Sequence, residues 1–366
     1  MENPSYLSEQ LITYIGNKRA LLSFIGESIE PIKKELKKEK LITFDGFAGS
    51  GVVSRYLKQH SQKVYSNDME KYSYVITKSF LLNESEVDRK YINEVVEYLN
   101  TNKFSGKGLG IIERLYAPQD TDNPQQDERC FYTKENAKII DTIRFLIEEQ
   151  ITDPKYKDIF LSLLIHKSSV HTNTSGVFKG FYKSKATGIG KFGGDGENAL
   201  SRIKGEITIE PIILSNYECD SQVFSGDTNQ IVKSIEDLDL VYYDPPYNQH
   251  PYGSNYHILN TIYENIEPKK LSKVAGIRED WNKSDYNKKV SAEKAMKDLI
   301  ENTNSKYILV SYNNEGIISN ESMTNILSEF GDVELKTKSY NTFRGSRNLK
   351  ERDNKVIEQL YVLKKK

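Results

Sequence analysis

Cysteine is nearly absent from this sequence: Cys130 and Cys219 are the only two in 366 residues, and they lack CxxC spacing. A disulfide framework and a zinc-binding cysteine motif are therefore excluded, and we expect no metal site. No run of about 18 consecutive apolar residues occurs, and no basic segment precedes an apolar one at the N-terminus, so neither a membrane span nor a secretion signal is predicted. We expect a reducing, cytoplasmic location.

An excess of charge of either sign is also lacking. Lys and Arg number 51 against 52 Asp and Glu, which gives a formal net charge of -1. A surface for nucleic acid would therefore have to be local. The hydrophobic fraction of 37% predicts a packed core, and the length suffices for one large α/β domain with a smaller second domain.

The clearest local pattern is a short apolar run at 41–45 that leads into the glycine-rich segment 46–51, followed by a helical pattern. A second strand pattern at 63–68 ends in Asp68. This order predicts the start of a doubly wound nucleotide-binding α/β sheet, in which Asp68 would accept hydrogen bonds from ribose hydroxyls. The turn lacks the GxGxxG pattern, which favours a nucleoside cofactor without phosphates. A plain tight turn and a helix-capping Asp68 are the structural alternatives.

The remaining strand patterns come after a long stretch without buried strands. Residues 83–215 alternate helical segments with polar turns and are predicted to form an inserted domain, which gives the division 1–82, 83–215 and 216–366. Strands are predicted at 222–227, 238–243, 306–314, 333–340 and 356–366, the last two as an antiparallel pair.

The sequence Asp244-Pro245-Pro246-Tyr247 directly follows one of these strands. The exocyclic amine of adenine is a poor nucleophile because its lone pair is delocalised into the ring. A site that methylates it needs acceptors for the amino hydrogens, and the Asp244 carboxylate and the Pro245 carbonyl can serve as acceptors. The two prolines stiffen the loop, and Tyr247 offers a face for stacking on an extruded base.

Several motifs in this order resemble the class D12, Dam-like, alpha-type adenine-N6 DNA methyltransferases. They are YIGNK (14–18), DGFAGSG (45–51), NDME (67–70) and DPPY (244–247). The resemblance covers most of the chain and implies a Rossmann-like methyltransferase sheet, interrupted by a mostly helical target-recognition domain. It also implies S-adenosyl-L-methionine as cofactor and a flipped adenine of double-stranded DNA as substrate. Gly46 departs from the family, because many members have proline there.

The resemblance assigns roles to individual positions. Tyr14 and Lys18 would contact the methionine part of the cofactor, Asp68 its ribose and Asp227 its adenine. Asp244 would be the catalytic polar residue, with Pro245 and Pro246 in its loop, and Tyr247 would stack on the base. The further cofactor-binding positions that it implies are Asp45, Phe47, Gly49, Gly51 and Asp244.

A basic segment lies within the predicted insertion. Seven Lys or Arg between His166 and Gly205 oppose two acidic residues and alternate with aromatic ones. Such a segment could bind phosphates, whereas a solvated lysine-rich face is the alternative. The predicted DNA-contacting residues are Lys179, Lys183, Lys185, Lys191, Arg344 and Arg347.

Several alternatives stay open at this point. A methyltransferase for RNA adenine or for a protein glutamine also uses a Pro-Pro-aromatic loop, usually after Asn. Cytosine-N4 methylation more often accompanies Ser at that position. A non-catalytic DNA-binding protein is the rival outside the enzymes. We expect a prokaryotic or phage-encoded, nucleoid-associated protein of a restriction-modification system, with a separate endonuclease and with a monomer favoured over a dimer.

Overall fold

The computed structural model describes residues 1–174, 176–194, 196, 199–341 and 355–366. Seven strands form one mixed sheet with the order β3-β2-β1-β4-β5-β7-β6. The strands are β1 (Leu41–Asp45), β2 (Ser61–Asn67), β3 (Asp220–Phe224), β4 (Leu238–Tyr243), β5 (Ser305–Asn313), β6 (Gly331–Asn341) and β7 (Lys355–Lys365).

Strands β1 to β5 pair in parallel, whereas β7 lies antiparallel between β5 and β6. The strand order reverses between β1 and β4, which pair directly with each other. At such a switch point the loops that leave the carboxyl ends of the two strands diverge and open a crevice. The predicted doubly wound α/β sheet and the antiparallel final pair are both confirmed.

Fourteen α-helices accompany the sheet among the described residues. They are α1 (Pro4–Ser8), α2 (Leu22–Leu36), α3 (Val52–Lys58), α4 (Lys71–Phe80), α5 (Arg89–Asn102), α6 (Ile111–Tyr116), α7 (Lys134–Gln150), α8 (Pro154–Val170), α9 (Leu200–Lys204), α10 (Thr228–Ile231), α11 (Tyr252–Asn255), α12 (His257–Glu264), α13 (Ala292–Glu301) and α14 (Asn320–Ser328). Short 3-10 helices are at Arg19–Leu21, Glu84–Glu86, Val232–Ser234 and Asp285–Asn287.

Local sequence explains where the longer helices begin. Asp88 and Thr133 cap α5 and α7, since their side chains accept hydrogen bonds from first-turn backbone N–H groups. Asp153 caps α8 in the same way, and Pro154 occupies its first turn, where no N–H partner is required. The helix predicted over residues 18–38 is α2 preceded by a 3-10 turn.

The sheet is covered on both faces because successive residues of a strand point to opposite sides. In β4, Leu240 and Tyr242 pack into the core formed with α2 and α3. Val241 and Tyr243 pack into the core formed with α13 and α14. The fully buried pattern of β4 is typical of a central parallel strand.

A third core joins the helices of residues 83–215 to the rest of the chain. It contains Leu99, Ile143 and Leu164 from α5, α7 and α8 together with Ile76 of α4 and Leu259 of α12. The division into three domains stays a prediction, because this core is continuous with the helices beside the sheet. Within the described residues, no helix is both long and apolar enough to span a membrane.

Candidate active-site cleft

A cleft with about 820 Å³ of empty space, including volume open to solvent, lies at the switch point between β1 and β4. The loops after β1, β2 and β4 line it, together with the N-terminal segment that precedes α2. Its lining residues are Tyr14, Gly16, Asn17, Lys18, Phe47, Ala48, Gly49, Ser50, Val52, Val53, Asp68, Met69, Glu70, Asp227, Thr228, Tyr242, Asp244, Pro246, Tyr252, Asn282, Ser284, Tyr286 and Asn287.

The glycine turn after β1 is held between Asp68 and Tyr14. The Gly49 N–H donates to Asp68 Oδ2 at 2.7 Å. Gly49 has φ +54°, and a Cβ built on it would lie 2.7 Å from Cε1 of Tyr14. The Tyr14 ring is itself nearly parallel to the rings of Tyr252 and Tyr256, with its centroid 4.9 Å from each of them. Glycine is therefore needed at position 49 both for its backbone angle and for space.

We expect Gly49→Ala to lower the free energy of unfolding by about 2–4 kcal/mol, since it combines a left-handed backbone angle with an overpacked contact. Urea denaturation measures this directly. Gly106→Ala is the matched control, because Gly106 also has a positive φ (+69°) but a Cβ at this position would have no atom within 4 Å. The control should lose only about 1 kcal/mol. Equal losses in the two variants would contradict the proposed contact with Tyr14.

Two carboxylates follow β2 at the floor of the cleft. Asp68 Oδ1 accepts from the Glu70 N–H at 2.8 Å, so both oxygens of Asp68 shape the backbone around them. Glu70 is buried and accepts from Asn260 Nδ2 at 2.6 Å. Burial raises the pKa of Asp68 and raises that of Glu70 to about 7. Burial thus raises the pKa of two carboxyl groups beside the cleft. Perturbed pKa values of this kind are common at binding and catalytic sites.

Asp45 lies behind the turn instead of lining the cleft. Its Oδ2 accepts from Ser54 Oγ at 2.6 Å, and burial raises its pKa to about 7. Gly46 beside it donates its N–H to the Tyr242 carbonyl at 3.0 Å, and a Cβ at Gly46 would lie 2.5 Å from the ring of Tyr243. Proline is frequent at this position in the methyltransferase family that the motifs resemble. In this chain a proline at position 46 could not form the hydrogen bond to Tyr242, because proline has no backbone N–H.

The opposite side of the cleft is more apolar. Phe47 packs edge-on against Tyr286, with ring centroids 5.3 Å apart. Asp227 caps α10 by accepting from the Asn229 N–H at 3.0 Å. An apolar ring wall with a carboxylate at its edge suits a nucleobase, which has flat faces and polar edges.

A buried ionic network stands at the end of β4. Lys18 Nζ lies 3.0 Å from Asp244 Oδ1 and 3.1 Å from Glu358 Oε1. Lys18 is 4% exposed and Glu358 1% exposed. Ser311 Oγ also donates to Glu358, which anchors that carboxylate between β5 and β7. Burial raises the pKa of Asp244 to about 6, although the neighbouring Lys18 lowers it.

The loop after Asp244 is fixed by its neighbours. The Tyr247 carbonyl accepts from the Ile317 N–H at 2.9 Å, and its ring meets Tyr312 edge-on with centroids 6.5 Å apart. The same ring lies beside Gly16, where a Cβ would be 3.7 Å from Tyr247 Cε1. Tyr247 is therefore next to the mouth of the cleft, with one side supported by the protein.

The structure brings most of the predicted cofactor and catalytic residues to this cleft. Those that line it are Tyr14, Lys18, Phe47, Gly49, Asp68, Asp227, Asp244 and Pro246. Among the described residues, Asp45, Gly51, Pro245 and Tyr247 are adjacent to the cleft without lining it. Gly51 is the residue before α3, where it has φ 73°.

Sequence reasoning missed three residues of the site. Glu358 lies on the last strand, and no motif marks it. Glu70 is the acidic last residue of the NDME motif, and that position could have identified it from the sequence. Tyr252 belongs to the segment after DPPY, and its ring stacks on Tyr14. His257, in contrast, is a buried core residue whose Nε2 lies 2.9 Å from the Phe178 carbonyl.

The predicted DNA-contacting lysines lie outside the cleft, in or beside a short hairpin at residues 182–191. Lys183 lies over the Phe181 ring at 5.0 Å, and Lys179 is partly buried, which lowers its pKa. Lys185 is exposed and Lys191 is half-buried. Arg344 and Arg347 lie outside the described residues.

Not all of the basic residues counted in this segment face solvent. Lys204 pairs with Asp122 at 3.0 Å, and Arg202 donates to the Thr172 carbonyl at 3.1 Å. Lys167 pairs with Glu210. These side chains stabilise the protein itself, so the sequence count overstates the positive charge that this segment offers to a ligand. The part of the chain that the structure describes contains no cluster of three or more metal-ligating side chains.

Comparison with known proteins gives one consistent result. Residues 14–326 match the model of a family described as D12 class N6 adenine-specific DNA methyltransferase. The chain is 33% identical to modification methylase StsI of Streptococcus sanguinis over 96% of its length, and it spans 52% of that protein. It is 30% identical to type II methyltransferase M.NlaIII of Neisseria lactamica over 97% of its length and spans 99% of that protein. A viral relative, M.CviAII of Paramecium bursaria Chlorella virus 1, is 28% identical over 91% of the chain and 93% of its own length.

Proposed function

Because this chain belongs to the D12 class of N6 adenine-specific DNA methyltransferases, we propose that it transfers a methyl group from S-adenosyl-L-methionine to N6 of a flipped adenine in double-stranded DNA. The observation that carries this proposal is the buried Lys18–Asp244–Glu358 network at the rim of the cleft between β1 and β4. In this proposal the network holds the Asp244 carboxylate at the position where N6 of the adenine would enter the cleft.

The residues of the cleft fit S-adenosyl-L-methionine. Gly49 lines the cleft without a side chain, which lets a ligand approach the backbone of the turn. We propose that Tyr14 and Lys18 lie toward the methionine end, Asp68 toward the ribose, and Asp227 with Phe47 toward the adenine. Asp45 and Gly51 would act indirectly by shaping the turn. When bound, this cofactor supplies an electrophilic methyl group on a sulfonium, which is a good leaving group.

The protein's own residues would position and polarise the substrate amine. Lys18 contacts Oδ1 of Asp244 at 3.0 Å. In our proposal Oδ2 and the Pro245 carbonyl accept the two N6 hydrogens, which lets the nitrogen become tetrahedral. As the new N–C bond forms, one of these protons has to leave, and Asp244 is placed to hold it. Tyr247 would stack on the base, and Pro246 would keep the loop rigid.

Two features support DNA as the substrate: the residue at position 244 and the charge of hairpin 182–191. Asp244 supplies a carboxylate at a position where RNA and protein-amide enzymes usually have Asn, and hairpin 182–191 carries three lysines and no acidic residue. A DNA substrate would place the protein at the nucleoid in the cytoplasm. The names of the relatives support a role in restriction-modification beside a separate endonuclease. The chain spans about half the length of StsI.

Expression in a host without DNA methylation, followed by sequencing that detects modified bases, tests the function. We expect N6-methyladenine within one short sequence motif and unmodified adenine elsewhere. Asp244→Ala expressed at the same level is the control and should leave the DNA unmodified. Unmodified DNA from cells that contain folded, cofactor-binding protein would contradict the assignment and favour RNA or protein amides as substrates.

A further inference from the structure

Two segments of the chain share a sequence pattern and a backbone structure. Residues 184–189 read SKATGI and residues 272–277 read SKVAGI. The first lies in hairpin 182–191 and the second in another short hairpin, residues 270–279. The hairpins contain the isolated bridges Lys183↔Gly190 and Leu271↔Arg278.

Corresponding hydrogen bonds close the two tips. The Ser184 N–H donates to the Ile189 carbonyl at 2.8 Å, and the Ser272 N–H donates to the Ile277 carbonyl at the same distance. In each tip the glycine N–H also donates back to the serine carbonyl, at 2.9 Å for Gly188. The repeated sequence therefore encodes a repeated four-residue loop with a lysine at the same position.

The two hairpins pack on the same short segment of the chain. A Cβ at Gly190 of the first would lie 2.3 Å from Cys130 Sγ, whereas a Cβ at Gly276 of the second would lie 2.9 Å from Arg129 Nε. The first hairpin thus packs on residue 130 and the second on residue 129. The two hairpins therefore pack on consecutive residues of the same irregular segment.

Arg129 fixes the tip of the second hairpin. Its guanidinium donates to the carbonyls of Ser272, Lys273 and Val274, each at 3.3 Å, and to the Leu115 carbonyl at 3.0 Å. Because the Arg129 guanidinium donates to four backbone carbonyls, its main effect is to hold the tip of the second hairpin in place. Two exposed residues of that tip, Lys273 and Val274, consequently project from a rigid support.

Both hairpins are connected to the active-site cleft. The first follows Phe178, whose N–H donates to the Asn255 carbonyl at 2.7 Å, just beyond the DPPY loop. The second leads directly into Asn282 and Ser284, which line the cleft. Both hairpins therefore belong to segments whose flanking residues contact or line the catalytic region.

The charge at the tips is positive. Lys185 and Lys273 occupy the equivalent tip positions, and both are exposed. Other basic groups of the second hairpin are used within the protein, since Lys270 lies 3.5 Å from Glu279 and Arg278 pairs with Asp280 at 2.8 Å. Each tip thus carries one exposed lysine at the equivalent position, which suits a polyanion such as a nucleic-acid backbone.

We propose that the second hairpin, which lies outside the predicted recognition insertion, is a second DNA-contacting arm, and that the two tips bind backbone phosphates of the same duplex through Lys185 and Lys273. This inference rests on the proposed function, because it assigns a further surface to the same DNA substrate. Phosphate contacts of this kind set the orientation of the duplex and do not read its sequence.

Lys185→Gln, Lys273→Gln and the double variant test the proposal, with Lys34→Gln as the matched control. Lys34 is exposed near the carboxyl end of α2, which precedes β1 and so lies at the edge of the sheet away from the cleft. Anisotropy with a labelled duplex at several salt concentrations gives the dissociation constant and its salt dependence. Each tip variant should weaken binding about three- to tenfold. Each should also reduce the slope of the logarithm of the binding constant against the logarithm of the salt concentration by about one, and the double variant should reduce it by about two.

Three outcomes are informative. In the first, wild-type protein binds and methylates duplex DNA, but Lys273→Gln has the same dissociation constant and salt dependence as Lys34→Gln. The assignment of the second hairpin as a DNA-contacting arm is then wrong, and the proposed function survives. If Lys273→Gln changes the recognised sequence and leaves the salt slope unchanged, the phosphate contact is wrong. If wild-type protein neither binds nor methylates duplex DNA, the proposed function fails together with this inference.

Discussion

Replacement of Asp244 by alanine is expected to reduce the rate of methyl transfer by at least about 100-fold, the usual effect of removing one preorganised polar group from a reacting centre. The carboxylate is the only side-chain acceptor of the DPPY loop apart from the Tyr247 hydroxyl, and the main-chain carbonyl of Pro245 alone cannot accept both amino hydrogens. Single-turnover incorporation of a labelled methyl group into duplex DNA measures the effect without interference from product release.

The fold should survive this change. Lys18 would still have Glu358 at 3.1 Å, so the buried ammonium keeps a partner. Asp244→Asn is the matched variant, because it keeps an acceptor oxygen at the same position, and we expect an intermediate rate. A rate for Asp244→Ala within about tenfold of the wild type, with normal DNA binding, would exclude Asp244 from the chemistry.

Replacement of Lys18 by methionine should have the largest effect on stability. It leaves the carboxylates of Asp244 and Glu358 facing each other in a buried site without their shared cation. Breaking a buried ion pair by removing one partner typically costs about 3–5 kcal/mol. Urea denaturation at pH 8 gives this loss. The double variant Lys18→Met/Glu358→Gln should recover part of it, because only one buried carboxylate remains.

The loss should also depend on pH. Burial already raises the pKa of Asp244 to about 6, and removal of Lys18 would raise it further. A carboxyl group whose pKa is higher in the folded state binds more protons there, so the folded state loses stability as pH rises from about 4 through that pKa. The difference between Lys18→Met and wild type should therefore be small at pH 5 and full at pH 8. A difference that is constant between these pH values would contradict the assigned ion pair.

Local sequence was sufficient for the elements that carry the motifs. The strand predicted at 238–243 is β4 with the same bounds, and the strand at 41–45 is β1. Continuous apolar runs identify buried parallel strands, and the glycine turn and DPPY mark their carboxyl ends. Because carboxyl ends of adjacent parallel strands converge at a switch point, the meeting of Gly49, Asp68 and Asp244 was also predictable.

The sequence by itself thus determined the α/β class, the family resemblance and most of the cleft. Tertiary structure alone decided that β7 inserts between β5 and β6, which brings Glu358 to Lys18. It also decided that two similar hairpins pack on the consecutive residues Arg129 and Cys130. The physical reason is that periodicity and motifs report a residue's own element, whereas ion pairs and hairpin packing depend on which distant elements the shared core brings into contact.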